Sequence, residues 1–325
     1  MKLRHILGFA GVATAMLITG TVSAAESLKF AHVYETSQPY HKWALWAADE
    51  LKSRSGGKYE MEVFPASTLG KEVDINEGLS LGTVDIIYTG FQFAGRSYGP
   101  MGISGYPYVY ASVGHWKNFI ASDLFKEMSA SFTKVTGHMP VTATYYGQRH
   151  VTSKKPISKP ADMKDLKIRV PNAPAYTIFP NATGANPTPI AFAEVYLALQ
   201  QGVVDAQENP MPTIQAKKFY EVQKYINLTG HITDSLLTIV GGPLWNRLGA
   251  DDQKMLSGIL VEASQKCTAE IEQKELDLVA WFEGKGNIVN KKVDVDAMQA
   301  ATAKFYAANK MPWPTEIWDR LQALK

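Results

Sequence analysis

A short sequence signature occurs twice in this chain and constrains its fold more than any other feature. The signature, LxxGxVD, begins at Leu79 and again at Leu199. In both copies an apolar helical pattern ends at a glycine, the residue best suited to a left-handed helix terminus, and an apolar strand pattern starts two residues later. The repeat predicts two similar α/β units in one chain.

Strand and helix patterns alternate around both copies of the signature. Residues 28–33, 59–64 and 84–88 are typical of strands, and helices are predicted between them over residues 40–53 and 70–81. In the second half, a strand is predicted over residues 167–170 and a helix over 192–201. This alternation favours a parallel sheet wound with helices. We therefore predict an α/β fold with two lobes and a ligand-binding cleft between them.

A long amphipathic helix is predicted over residues 251–283. Leu256, Leu260, Cys267 and Ile271 lie on one stripe of this helix, with charged residues opposite. At about 1.5 Å per residue the helix reaches ~45 Å, which is enough to brace two lobes. Cys267 is the only cysteine, so no internal disulfide is possible, and its place on the apolar stripe predicts an inert core residue.

The N-terminus has the pattern of a secretory signal peptide. Lys2 and Arg4 precede an apolar stretch over residues 6–20, and small residues follow up to Ala24. A membrane anchor is the alternative, but the apolar stretch is shorter than the roughly 20 residues that a membrane span needs. We predict a signal peptide over residues 1–24, export, and a soluble mature protein.

Charge and motif content argue against several classes of partner. Removing Lys2 and Arg4 with the signal peptide reduces the 33 basic residues to 31, equal to the 31 acidic residues. A net charge near zero favours neither nucleic acid nor an anionic membrane as partner. The seven histidines are scattered, and the chain has neither a CxxC nor an HExxH motif. We predict no metal and no cofactor.

Two arginines are the main candidates for binding an anion. Arg169 lies inside the strand pattern of residues 167–171, and Arg149 lies beside strand-like residues. A buried guanidinium stays charged and needs an anion, and its planar fork fits a carboxylate with two hydrogen bonds. The alternative for either arginine is an internal salt bridge to an Asp or Glu of the same chain.

Two asparagines lie in turns next to prolines. Asn209 precedes Pro210, and Asn172 follows Pro171. Asparagine in such a place is common as a turn residue. Its amide, with one acceptor and one donor group, is also suited to complete an anion site.

A group of polar residues after the first strand leaves an enzymatic alternative open. His32, Glu35 and His41 lie at a strand edge, where ligands often bind, and a histidine with a glutamate is a common acid–base pair. The chain has no nucleophile elbow and no phosphate-binding loop. These residues are more typical of turn contacts or ligand hydrogen bonds, so we expect a binding protein rather than an enzyme.

Several sequence segments together resemble one protein family. They are KIRVP at residues 167–171, FAEVYLALQ at 192–200, VDAQENP at 204–210 and, upstream, FPASTLGKE at 64–72 with LGTVDI at 81–86. The combination resembles the extracytoplasmic solute-binding receptors of TRAP (tripartite ATP-independent periplasmic) transporters over essentially the whole mature chain. Around residues 167–173 and 208–210 it is most similar to the sialic-acid receptors of that family.

The resemblance implies a two-lobed periplasmic binding protein with crossing strands at the hinge and a long bracing helix. It implies lobe I over residues 25–146 and 235–274, and lobe II over residues 147–234 and 275–325. It also implies that a monomer in the periplasm delivers a small carboxylate ligand to TRAP membrane subunits. A receptor that reports to a signalling protein is an alternative that the sequence does not separate from a transport receptor.

Site residues follow from the same resemblance. Arg169 is implied as the main carboxylate anchor, with Arg149 as a second contact and Asn209 as a hydrogen-bond partner of the same group. Asn172 and Phe192 match residues that line the pocket.

Polar groups of the ligand are assigned to other positions. Glu72 matches an acidic residue that contacts such groups. We add Glu35, Gln92 and His32 as further ligand contacts.

The ligand is expected to differ from sialic acid. The sialic-acid receptors carry a Glu and an Arg where this chain has Gly90 and Phe93, and Phe91 adds another apolar residue nearby. A large polar ligand would leave hydrogen-bonding groups unpaired there, at about 1–3 kcal/mol each. A smaller sugar acid such as a uronate or aldonate is therefore favoured. A keto, hydroxy or aromatic monocarboxylate, or a C4-dicarboxylate, is the alternative.

Overall fold

Two long antiparallel strands, which pair with each other, organise the fold. In the computed structural model, which describes residues 24–325, these strands are β4 (Met139–Ser153) and β8 (Tyr225–Val240). Their pairing runs from Met139 opposite Val240 to Ser153 opposite Tyr225. Residues 1–23, which carry nearly all of the predicted signal peptide, lie outside the described residues.

The shorter strands join the two ends of this pair in one nine-stranded mixed sheet, in the order β2-β1-β3-β8-β4-β7-β5-β6, with β9 on β8. Parallel pairs join β1 to β2 and β3 at one end, and β5 to β6 and β7 at the other. The shorter strands are β1 (Glu26–Ala31), β2 (Tyr59–Phe64), β3 (Ile86–Gly90), β5 (Lys167–Val170), β6 (Asn186–Pro189), β7 (Ala206–Pro210) and β9 (Ile288–Asn290).

Twelve α-helices of the described residues cover the sheet. They are α1 (Pro39–Arg54), α2 (Glu72–Leu81), α3 (Phe91–Ala94), α4 (Val113–Ala121), α5 (Asp123–Thr136), α6 (Ile178–Thr183), α7 (Val195–Gln200), α8 (Met211–Ala216), α9 (Gly242–Arg247), α10 (Ala250–Gly284), α11 (Val295–Ala308) and α12 (Thr315–Gln322). Within residues 24–325, no helix is both long and apolar enough to cross a membrane.

In both halves the repeated signature forms a helix that ends near a glycine, as predicted, but the strand that follows begins four residues after the glycine rather than two, at Ile86 and at Ala206. Gly82 ends α2 with a φ of 69°, and Gly202 follows α7 with a φ of 72°. A strand starts shortly after each glycine, and each strand is buried along its length. Each strand runs directly into a short helix, α3 after β3 and α8 after β7.

Separate hydrophobic cores support the two lobes. The largest core packs strands β1 to β3 against α1, α5 and the first part of α10, whereas a second contains α7, α8 and the end of α10. A third lies around β5, α6 and α11. The 35-residue helix α10 contributes Cys267 to the first core and Phe282 to the second, so it braces both lobes.

The C-terminal helix differs from the predicted domain assignment. Residues 275–325 were assigned to lobe II, but Leu321 of α12 is buried in the first core. Its carbonyl bonds to Nε2 of His115 at 2.8 Å, and Arg320 pairs with Glu127 of α5. The apolar side of this short helix is therefore covered by lobe I, and the assignment is wrong for these residues. The other lobe boundaries remain a prediction.

Irregular pairing marks the point where the long strands pass between the lobes. The register shifts between Tyr145 and Gly147, and again between Arg149 and Val151. Gly147 has a φ of 116°, and a Cβ there would lie 2.7 Å from both Glu275 Oε1 and Pro210 Cβ. Only glycine fits this bulge, because other residues strain at such a φ and have no room for a side chain.

Candidate functional site

A cavity of about 210 Å³ lies between the two lobes. One side comes from the start of α2 and from α3, and the other from β5 and the segment between β6 and α7. The cavity is lined by Lys71, Glu72, Val73, Phe93, Arg169, Pro171, Asn172, Pro189, Ile190, Ala191, Phe192 and Glu194. Ligand sites of open α/β sheets lie at the carboxyl ends of the strands, which is where this cavity lies relative to β5.

Arg169 is the only buried guanidinium among these lining residues. It is 1% exposed, and its Nε and Nη2 donate to the carbonyl of Ile190 at 2.9 and 2.7 Å. Its Nη1 has no partner among the described residues. Burial lowers the pKa of Arg169 to about 10, with the charge of Arg149 adding to the effect and that of Glu208 opposing it. Arg169 remains a cation at neutral pH, and its Nη1 can donate to an anion without losing a hydrogen bond within the described residues.

Arg149 is buried next to this anchor but is fully engaged inside the protein. It pairs with Glu208 through Nε and Nη2, and its Nη1 lies 2.9 Å from Asp234 Oδ2. Its guanidinium also lies over the ring of Tyr176, at 4.9 Å. This is the internal salt bridge that the sequence left open, and a direct contact of Arg149 with the ligand stays a prediction.

Two acidic residues therefore balance Arg149, and the sequence analysis did not single out either. Burial alone would raise the pKa of Glu208, but Arg149 and His231 hold it below its ordinary value. Burial raises the pKa of Asp234, against the charge of Arg149. Glu208 was recognisable because it precedes Asn209 in the strand β7, whereas Asp234 is distant in sequence.

Asn209 is buried at the end of β7, on the lobe II side of the crossing point. Its Nδ2 donates to Gln207 Oε1 at 2.6 Å, and its Oδ1 accepts from the hydroxyl of Tyr146 at 3.2 Å. Asn209 is not among the residues that line the cavity. Its predicted role as a carboxylate contact remains a prediction.

Glu72 faces Arg169 from the first turn of α2. One carboxylate oxygen accepts from the backbone N–H of Gly90 at 2.8 Å and from Thr89 Oγ1 at 3.0 Å. Burial raises the pKa of Glu72 to about 7, although both hydrogen bonds oppose the change. Its second oxygen takes part in no hydrogen bond within residues 24–325 and is suited to meet a ligand hydroxyl.

The apolar walls of the cavity come from two phenylalanines. Phe192 lies close to two cations, with the guanidinium carbon of Arg169 at 6.0 Å and Lys217 Nζ at 5.0 Å from its ring centroid. Phe93 is 6% exposed and forms part of the opposite wall. Phe91, which the sequence also favoured for this wall, packs instead on Phe125 inside the lobe I core.

Asn172 lines the cavity, but its side chain is exposed. Its carbonyl accepts a long contact of 3.5 Å from Arg96 Nη1, across the mouth of the cavity. The structure thus places Arg169, Glu72, Asn172 and Phe192 around one space, in line with the set implied by the sequence.

Three further predicted contacts do not line this cavity. Glu35 pairs with Lys217 at 2.6 Å, and Gln92 donates to the carbonyl of Gly105 and to Asp234. His32 is 1% exposed, with its Nε2 3.2 Å from His41 Nδ1. Burial and the neighbouring His41 lower the pKa of His32 to about 3, so it is neutral at physiological pH.

Ion pairs at the mouth were missed by the sequence analysis. Lys71 Nζ lies 2.7 Å from Glu194 Oε1, and both residues line the cavity. The Glu35–Lys217 pair and the 3.0 Å hydrogen bond from Gln38 Nε2 to Thr213 Oγ1 also join the two sides. These partners are distant in the chain, so no local pattern reveals them.

Comparison with known proteins identifies relatives over most of the chain. Residues 30–310 match the family described as bacterial extracellular solute-binding protein, family 7. The chain is 33% identical to a solute-binding protein of Roseobacter denitrificans, covering 94% of each. It is 32% identical to the sialic acid-binding periplasmic protein SiaP of Vibrio cholerae, covering 82% and 83%, and 34% identical to the 2,3-diketo-L-gulonate-binding periplasmic protein YiaO of Escherichia coli, covering 85% of each.

A crystal structure of the Roseobacter protein, a TRAP periplasmic solute-binding protein with bound L-galactonate, superimposes with a TM-score of 0.87. The match covers 93% of this chain and 99% of that one at 32% identity. The two-lobed α/β architecture predicted from the sequence is confirmed by this likeness.

Proposed function

Because this chain belongs to the bacterial extracellular solute-binding proteins of family 7, which include the receptors of TRAP transporters, we propose that it captures a small sugar acid in the periplasm and delivers it to TRAP membrane subunits. One observation carries the proposal: Arg169 is a buried cation whose Nη1 has no partner among the described residues and which lines the cavity between the lobes. A buried charge without a counter-ion is costly, so a bound anion stabilises it.

The ligand carboxylate accepts a hydrogen bond from Arg169 Nη1. Arg149 and Asn209 lie behind this anchor, and their contact with the carboxylate requires Arg149 to turn away from Asp234, or Asn209 from Gln207. For Arg169 Nη1, no existing hydrogen bond within the described residues has to be broken. Arg169 is therefore the principal anchor in this proposal, and the other two residues complete the site on ligand binding.

Size and polarity of the cavity favour a sugar acid. Its volume of about 210 Å³ lies below the roughly 300–1,000 Å³ of ligand pockets in general, which favours a small ligand. Glu72 and Asn172 offer hydrogen bonds to hydroxyl groups, and Phe93 and Phe192 face the carbon chain. The ligands of two relatives, L-galactonate and 2,3-diketo-L-gulonate, are six-carbon sugar acids. An aldonate is our first choice and a uronate the second.

A receptor role without chemistry suits the placement of the candidate acid–base residues. His32 is buried in the lobe I core, and Glu35 is held by Lys217. Neither residue lines the ligand cavity. We propose that the ligand is released unchanged, and that residues 1–24 direct a monomeric mature protein to the periplasm.

Isothermal titration of the mature protein tests this function. We expect binding of L-galactonate or L-gulonate, weaker binding of galacturonate and glucuronate, and no measurable binding of N-acetylneuraminate. Recovery of the bound acid unchanged by mass spectrometry separates a receptor from an enzyme. If no sugar acid binds and a keto acid, an aromatic acid or succinate does, the proposed ligand class is wrong and the class of the acid that binds replaces it.

A further inference from the structure

The ligand cavity shares a wall with a second, larger cavity. The second cavity has a volume of about 530 Å³ and lies on lobe I between α2, α3 and α5. Within residues 24–325, only Val73 and Phe93 line both spaces. The second cavity also presents hydrogen-bonding side chains, among them Asn76, Ser80, Arg96 and His138.

The larger of the two shared residues, Phe93, is fixed from the opposite lobe. Its ring centroid lies 6.4 Å from that of Tyr176, and it forms a small hydrophobic cluster with Val170, Ala173 and Ile232. Val170 directly follows Arg169 in β5. The position of the ring is therefore set relative to the carboxylate anchor, and not by lobe I alone.

We infer that Phe93 sets the length of the acid that this receptor accepts. With its carboxylate on Arg169, a ligand ends at the Phe93 ring, and the polar groups beyond the ring stay out of reach. The inference rests on the proposed function and adds the residue that limits ligand size. A buried aromatic ring offers no hydrogen bond to hydroxyl or acetamido groups, so it excludes longer polar acids by shape and by unpaired polar groups.

Other residues close to the wall do not take over this role. A side chain at Gly90 would require its neighbours to shift, because a Cβ there would lie 2.9 Å from Gln92 Oε1 and 3.0 Å from the Tyr176 hydroxyl oxygen. Val73 is the smaller side chain and is only partly buried. Removing the Phe93 ring therefore joins the two spaces, whereas changes at Gly90 disturb the packing.

The test compares Phe93→Ala with Phe192→Ala, a matched control that removes a ring lining the ligand cavity only. Isothermal titration measures L-galactonate and the longer N-acetylneuraminate with each protein. We expect no measurable binding of N-acetylneuraminate by the wild type and binding by Phe93→Ala that is at least about tenfold tighter than the detection limit, which corresponds to about 1.4 kcal/mol. Phe192→Ala should bind L-galactonate more weakly than the wild type and show no gain in affinity for N-acetylneuraminate. Phe93→Leu, a milder change, should be intermediate and guards against misfolding of the alanine variant.

The outcomes separate this inference from the proposed function. If the variants fold and Phe93→Ala binds L-galactonate but shows no gain in affinity for N-acetylneuraminate, the inference is wrong and the proposed function stands. If the wild type binds no sugar acid, the proposed ligand class is wrong. A crystal structure of Phe93→Ala then still shows whether the Phe93 ring separates the two cavities. One continuous cavity supports the role of Phe93, and two separate cavities overturn it.

Discussion

Replacing Arg169 by methionine distinguishes a binding anchor from a structural salt bridge. Methionine, like arginine, has a long unbranched side chain, but it carries no charge. Burial lowers the pKa of Arg169 to about 10, and at about 1.4 kcal/mol per pKa unit this corresponds to roughly 3 kcal/mol of unfavourable charge burial. The loss of its bonds to the Ile190 carbonyl costs about 1–3 kcal/mol in return. We therefore expect the unliganded variant to be as stable as the wild type, or up to about 2 kcal/mol more stable.

Arg149→Met is the matched control, because it removes the second buried arginine. This change leaves Glu208 and Asp234 buried without their counter-ion. Breaking a buried ion pair in this way costs about 3–5 kcal/mol. The two substitutions thus have the same chemistry and opposite expected effects on stability.

Urea denaturation of the ligand-free proteins measures the free energy of unfolding, and titration calorimetry measures affinity. Arg169→Met should lose about 2–5 kcal/mol of ligand binding, and Arg169→Lys should also bind poorly because the planar fork is absent. If Arg169→Met destabilises the free protein as strongly as Arg149→Met, Arg169 has an internal structural role that this reasoning lacks. Wild-type affinity in Arg169→Met would refute its role as the anchor.

Other predictions concern the carboxylate in the cavity, the hinge and the closed form. Because the pKa of Glu72 is raised to about 7, the stability that this residue contributes is full below about pH 4.5 and is lost as the pH rises through 7. Relative to Glu72→Gln, the wild type should lose up to about 2 kcal/mol of unfolding free energy from pH 5 to 8. Parallel plots of unfolding free energy against pH for the two proteins would contradict this pKa. Gly147→Ala should destabilise the protein by more than about 1 kcal/mol, which thermal unfolding measures, since its φ is 116° and the site has no free space; an unchanged melting temperature would show that the bulge adapts. In a double-mutant cycle, Glu35→Gln and Lys217→Met should show coupling of about 0.5–3 kcal/mol in ligand affinity, because their ion pair joins the two sides of the cleft. Additive effects of the two substitutions would show that the ion pair does not contribute to ligand binding.

Local patterns in the sequence determined the elements that depend on neighbouring residues. The strand over Tyr59–Phe64 and the glycine that ends α2 were readable because alternation of apolar residues and the need for a left-handed terminus are local properties. The long helix was predictable for the same reason, since its apolar stripe repeats with the helical period. Arg169 stood out because a charged residue inside an apolar strand requires a special environment.

Tertiary structure alone decided how these groups are partnered. Arg149 and Arg169 look alike in the sequence, yet Asp234 and Glu208 form ion pairs only with the first. The pairing of β4 with β8 brings Asp234 to Arg149 from 85 residues away. The same long-range packing placed Phe93 in the wall and Phe91 in the core, and covered α12 with lobe I. Local patterns specify which side chains must be buried, but the partner that each buried charge or ring meets depends on contacts between residues far apart in the chain.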